Sequence, residues 1–222
     1  MLRNIGHIFV VLMLAAIVMP KDVYAQQYTM KGGVSYGRVA TKEVANGTDK
    51  MLNYYWEMNY GYRFATYRFI TVGLGYLGAG CTYNDIYLPL VLDVPYTVKT
   101  RFNNLIIPVK FKVTTEHRTR PRGYAYVGVA PAWMFNEARE VKLNGELPDK
   151  KHDEFLFKWT PRKTQAYLLG GGGIYYKHVV LDLSAYVSIF KDYNEFEAPM
   201  SFNSGVILCI GYQVSRDTKK RW

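Results

Sequence analysis

Six charged residues fall where strand alternation would gather them on one side of extended segments: Lys31, Glu57, Arg63, Lys110, Lys112 and Asp182. Their companions on that side are small, such as Gly61, Gly73, Gly75, Gly128, Ala130, Gly205 and Gly211. Charge that is taken out of water must be paired or hydrated. Lys110 and Lys112 share a face two residues apart, so an acid from another segment should lie nearby, and Glu57 and Asp182 are the candidates. Two chemistries follow. One is a salt-bridge network that fills an interior and fixes its strands. The other is a cation-lined path for small anions.

The remaining reactive residue types form no catalytic pattern. His117 and His178 fall in short connections and His152 in a charged loop, Lys150-Lys151-His152-Asp153-Glu154. A hydrolytic site needs a nucleophile beside a base, and a lone histidine in a charge run is a solvated residue. No metal-ligand spacing appears, so neither metal nor cofactor is expected. Gly170 to Gly173 lacks the Lys-Ser/Thr pair and the helix of a phosphate loop; it reads as strand packed closely on a neighbour. Cys81 and Cys209 are the two cysteines, and their strands are not adjacent, so no disulfide is expected. No catalytic residue is assigned, and an enzyme is not expected.

The elements that position these residues are strands. In Tyr54 to Phe64, residues Tyr54, Trp56, Met58, Tyr60, Tyr62 and Phe64 fall on one parity. Tyr55, Glu57, Asn59, Gly61 and Arg63 fall on the other. Eight such runs can be marked: 28–39, 53–65, 68–80, 101–115, 122–136, 164–176, 178–190 and 202–215. Both faces of the sixth are apolar or glycine, which leaves its orientation unassigned. No window holds helical periodicity. The connections between runs alternate in length: 40–52, then 66–67, 81–100, 116–121, 137–163, Lys177 and 191–201. Loops sorted by end are the mark of an up-and-down barrel with short turns on one side of a membrane.

Composition sets the compartment. The 222-residue chain is 16% aromatic, with 20 tyrosines, and carries a formal charge of +10. Its basic residues form no single stripe, so nucleic acid is not the expected partner. Arg3, the apolar run Ile5 to Met19 and Val23-Tyr24-Ala25 read as a cleaved signal peptide over residues 1–25, leaving a barrel domain over 26–222. The apolar run is shorter than the roughly 20 residues of a spanning helix.

A soluble lipocalin-type barrel is the rival fold, but it would need a polar outer face. Here the polar face carries glycine, which weakens a solvated strand and makes room inside a narrow barrel. The expected fold is therefore an all-β, eight-stranded antiparallel up-and-down transmembrane β-barrel, whose interior is just wide enough for side chains, so the network reading of the charged residues is preferred over the path. Tyr36, Tyr54, Trp56, Tyr62, Tyr76, Trp133 and Tyr212 are the expected membrane-interface aromatics.

The chain resembles the small outer-membrane barrel domains of Bacteroidetes-type bacteria, the porin-like or PorT-like group. The resemblance rests on Ala25-Gln26-Gln27, Gly32-Gly33-Val34, Leu105-Ile106-Ile107-Pro108-Val109-Lys110-Phe111, Tyr126-Val127-Gly128-Val129-Ala130-Pro131 and Gly205 to Val214. It departs from that group at the end, where Ser215 to Arg221 precede Trp222. The resemblance implies a monomer in the outer membrane, in contact with its lipids and lipopolysaccharide. Insertion by the barrel-assembly machinery is expected, and three roles stay open: a structural or surface-interaction role, a narrow pore and, as the resemblance implies, an accessory role in secretion or envelope assembly.

Overall fold

The computed structural model describes residues 26–41, 48–88, 92–115, 121–143, 162–190 and 201–216. These form nine β segments: β1 (Gln26–Thr41), β2 (Thr48–Ala65), β3 (Arg68–Leu88), β4 (Leu92–Ile106), β5 (Val109–Thr114), β6 (Arg122–Leu143), β7 (Thr164–Tyr176), β8 (Val179–Ser188) and β9 (Ser201–Arg216). β4 and β5 are one barrel strand broken at Ile107 and Pro108. Both halves pair with β3 on one side and β6 on the other. Pro108 has no N–H to give the ladder, but its carbonyl still accepts from Gly73 N at 2.9 Å.

Eight antiparallel strands thus form a closed ring, each beside its sequence neighbours, and β1 pairs β9 to close it. Closure leaves no unpaired edge within the ring. Tight connections gather at one end: Thr66-Tyr67 and Lys177-His178, with the first residues of β1 and the last of β9. The described strand ends Thr41, Thr48, Leu88, Leu92, Leu143, Thr164, Ser188 and Ser201 lie at the other end.

Alternation decides which face turns inward. On β8, Val180, Asp182, Ser184, Tyr186 and Ser188 are buried, while Val179, Leu181, Leu183 and Val187 are exposed. On β7, which could not be oriented from sequence, Gln165, Tyr167, Leu169 and Tyr175 point inward, and Leu168 and Ile174 point out. The outward face is apolar all round. Val127 is 64% exposed and Ile210 61%. No charged side chain interrupts the outward positions of Val179 to Val187 or of Val206 to Val214.

Two expected loops are partly strand. The stretch 81–100 continues β3 to Leu88 and starts β4 at Leu92, and the stretch 137–163 begins with seven residues of β6. Alternating apolar positions mark a strand only where one face is apolar. These extensions, such as Thr97 to Arg101 against Ala138 to Lys142, carry polar groups and β-branched residues instead. They prolong β2, β3, β4 and β6 beyond the point where β6 last pairs β7, at Trp133 and Thr164.

Candidate functional site

The buried charged side chains among the described residues are Lys31, Glu57, Lys110, Lys112 and Asp182. They come from β1, β2, β5 and β8 and meet in the half of the lumen nearer the tight turns. Lys110 Nζ lies 2.5 and 2.6 Å from the two oxygens of Glu57, which is fully buried. Tyr55 also donates its hydroxyl to Glu57. Lys31 Nζ donates to Asp182 Oδ2 at 3.1 Å. Asp182 accepts two further bonds, from Tyr124 and, at 3.1 Å, from Tyr126. The ring of Tyr126 lies between the two pairs, 4.6 Å from Lys110 Nζ and 5.4 Å from Lys31 Nζ.

Each ion pair reaches across an intervening strand. Glu57 and Lys110 flank β3, and Lys31 and Asp182 flank β9. Alternate strands are about 9.6 Å apart, so the side chains must bridge that span over the residue between. Glycine opens part of the way: on the crossed strands Gly75 is paired with Glu57 and Gly211 with Lys31, while on the far sides Gly128 is paired with Lys110 and Gly173 with Asp182. A Cβ on Gly211 would lie 2.7 Å from Lys31 Cγ, and one on Gly128 would lie 2.9 Å from Lys110 Cγ.

Lys112 joins differently. Its Nζ bonds Gln27 Oε1 at 2.9 Å and the Tyr175 hydroxyl at 2.7 Å. Tyr175 in turn stacks on Tyr124, with ring centroids 4.4 Å apart. Arg63 stands apart from all of these. Its Nε donates to the Ala65 carbonyl at 3.3 Å, at the tight-turn rim.

The polar network is only one layer of the filling. Toward the loop end, Tyr55, Leu77, Ile106, Tyr167, Leu169, Tyr186 and Ile207 form an apolar core inside the ring. Tyr55, Ile106 and Tyr186 each lie on the loop side of the charged residue of their own barrel strand. Leu77 and Ile106 are fully buried. Ser35 donates to the Gly78 carbonyl at 2.6 Å and Asn104 to the Leu77 carbonyl at 3.2 Å, which ties this layer to the backbone. The sequence reading assigned the lumen to a polar network alone. The tyrosine hydroxyls on Asp182 and the apolar upper layer were both missed. Their signal was present in the inward parity of Tyr124, Tyr126 and Leu77.

The aromatic residues expected at membrane interfaces point outward. Tyr54 is 74% exposed, and Tyr36, Trp56, Trp133 and Tyr212 are exposed as well. Tyr62 and Tyr76 are half-buried, and Tyr76 donates to Asn103 Oδ1 at 2.6 Å. Lys50 sits over the Tyr36 ring. Of the chain's four histidines, His178 stacks on Tyr212 at the tight-turn rim, while His7, His117 and His152 lie outside the described residues, as do Phe155, Phe157 and Trp159. Cys81 and Cys209 are buried free thiols. Among the described residues no cluster of three His, Cys, Asp or Glu side chains is placed to hold a metal.

No protein-family model matches the chain, and no curated protein sequence matches it. Solved structures do resemble it. The outer membrane protein OprG from Pseudomonas aeruginosa is 12% identical with a TM-score of 0.47, over 86% of this chain and 97% of that one. Neisserial surface protein A is 13% identical with a TM-score of 0.41, over 84% and 96%. Ail, the attachment invasion locus protein of Yersinia pestis, is 10% identical with a TM-score of 0.41, over 85% and 99%. These likenesses are of fold alone.

Proposed function

We propose that this chain is a closed, non-enzymatic barrel of the bacterial outer membrane that acts at its outer surface, as a structural or surface-interaction protein. The observation that carries the reading is the filled lumen. Two buried ion pairs lie beneath an apolar layer in which Leu77 and Ile106 are inaccessible to solvent. An eight-stranded ring has an interior just wide enough for side chains, so nothing of substrate size passes. The apolar outside supports lipid as its solvent, because a water-soluble monomer does not carry an apolar surface of this extent. Ring closure satisfies every backbone group in hydrocarbon. Outer-membrane lipids and lipopolysaccharide are then its neighbours, and the assembly machinery its route of insertion.

The working surface is the sheet that outruns the ring. Beyond Met134, whose N–H still bonds the Lys163 carbonyl at 2.7 Å, β6 pairs with β4 among the described residues, up to Leu143 against Tyr96. Charged residues recur along it, including the Glu140–Lys142 pair at 3.3 Å. Such a margin resists self-association while still offering backbone groups to a partner.

The purified barrel should show no steady conductance in planar bilayers, and a steady open current would overturn the closed reading. Its folded form should run faster on a gel unheated than boiled. A photo-crosslinker at Lys142 in intact cells should give adducts and one at Lys177 none. The reverse pattern would favour a PorT-like accessory role in secretion or envelope assembly.

A further inference from the structure

The lower lumen holds more positive than negative charge. Among the described residues three lysines are buried there against two carboxylates. Glu57 is occupied by Lys110 and Tyr55, and Asp182 by Lys31, Tyr124 and Tyr126. Among the described residues Lys112 has no carboxylate within ion-pair distance. Its Nζ bonds two neutral oxygens, and it is only 6% exposed. The rings of Phe69, Tyr124 and Tyr175 lie 5.2–5.5 Å from it and soften the charge without neutralising it.

Beside Lys112 is a cavity of about 20 Å³, lined by Lys31, Lys110, Lys112, Glu57, Thr71 and Asn59 among others. That is room for about one water or one monatomic ion. Three of its four charged lining groups are lysines, and the Glu57 oxygens are already bonded. Two occupants compete. Water would donate to Asn59 Oδ1, which is buried without a partner. An anion would take a remaining Lys112 proton and the Thr71 hydroxyl. Charge favours the anion wherever Lys112 keeps its proton, since an uncompensated buried ammonium costs more than one unmet carbonyl and is otherwise relieved only by losing that proton.

We infer that this cavity is a binding site for a small inorganic anion of halide size, held by Lys112 and Thr71 as counter-charge to the third lysine. The site is a dead end, because the apolar layer closes the lumen above it. It does not depend on what the outer sheet binds.

The test uses the folded full-length barrel in detergent, with chloride or bromide replacing gluconate at constant ionic strength. The thermal unfolding midpoint should rise saturably with halide. Lys112→Met should abolish the dependence, and Thr71→Val should weaken halide binding about five- to tenfold, the worth of one hydrogen bond. Lys50→Met, on the outer surface, should leave it intact. Equal midpoints in gluconate and chloride, or an unchanged halide response in Lys112→Met, would overturn the site. Should Lys112→Met fail to fold, the chloride NMR linewidth of the unmodified barrel decides. Saturable broadening competed by bromide supports the site, and its absence overturns it.

Discussion

Glu57 and Lys110 are bonded through both carboxylate oxygens, and each faces a glycine on the adjoining strand. Removing one partner leaves the other charged in a site with little water. Lys110→Met should therefore lower the unfolding free energy by about 3–5 kcal/mol. The double change Glu57→Leu with Lys110→Met removes both charges and should recover most of that loss, as read by urea unfolding of the folded barrel. A double variant no better than Lys110→Met would show that the two charges do not act as one unit. The inward side of Lys31, Glu57, Lys110, Lys112 and Asp182 was legible in the sequence, because parity fixes the face a strand residue takes. Partner choice was not. Parity says nothing of which strand lies across the lumen, and Arg63 shares its parity with Glu57 yet ends on the Ala65 carbonyl at the rim.

At the scale of elements, tight turns and strand lengths tell different stories. The β7–β8 connection has two residues, and Lys177 takes a φ of 55°, a left-handed conformation that its Cβ disfavours. Positive φ at the first central position is the geometry in which a hairpin prefers glycine. Lys177→Gly relieves about 1–2 kcal/mol of backbone cost. It gives up the lysine's contact with Tyr176, 5.8 Å from the ring centroid, where an exposed cation–π pair contributes about 0.5–1 kcal/mol. The balance predicts a gain of about 1 kcal/mol in unfolding free energy, and a loss would show that side-chain contacts rather than backbone set this turn. The turn was visible as Lys177 between two strand-like runs. The full lengths of β3, β4 and β6 were not, since hydrophobic patterning ends where the apolar outer face ends while backbone pairing continues.

For the whole molecule, closure joins the two extremes of the chain. β1 and β9 pair from Gln26 and Arg216 at one end to Thr41 and Ser201 at the other. The consequence is kinetic. Every other strand pairing joins neighbours in sequence, but this seam waits until the last strand has arrived, and contacts of such separation form slowly. The seam should therefore form after the rate-limiting step. Gly205→Ala would push a methyl group to 2.7 Å from Gly37 Cα and the Tyr36 carbonyl across it. That change should speed unfolding and leave the folding rate nearly untouched, whereas damage to the β2–β3 hairpin should slow folding. A folding limb slowed as much by Gly205→Ala as by hairpin damage would mean that the ends meet early. Without the seam the same strands would be an open sheet with two unpaired margins, which hydrocarbon does not tolerate, so under the proposed membrane reading it is the final strand that makes the sheet fit for lipid.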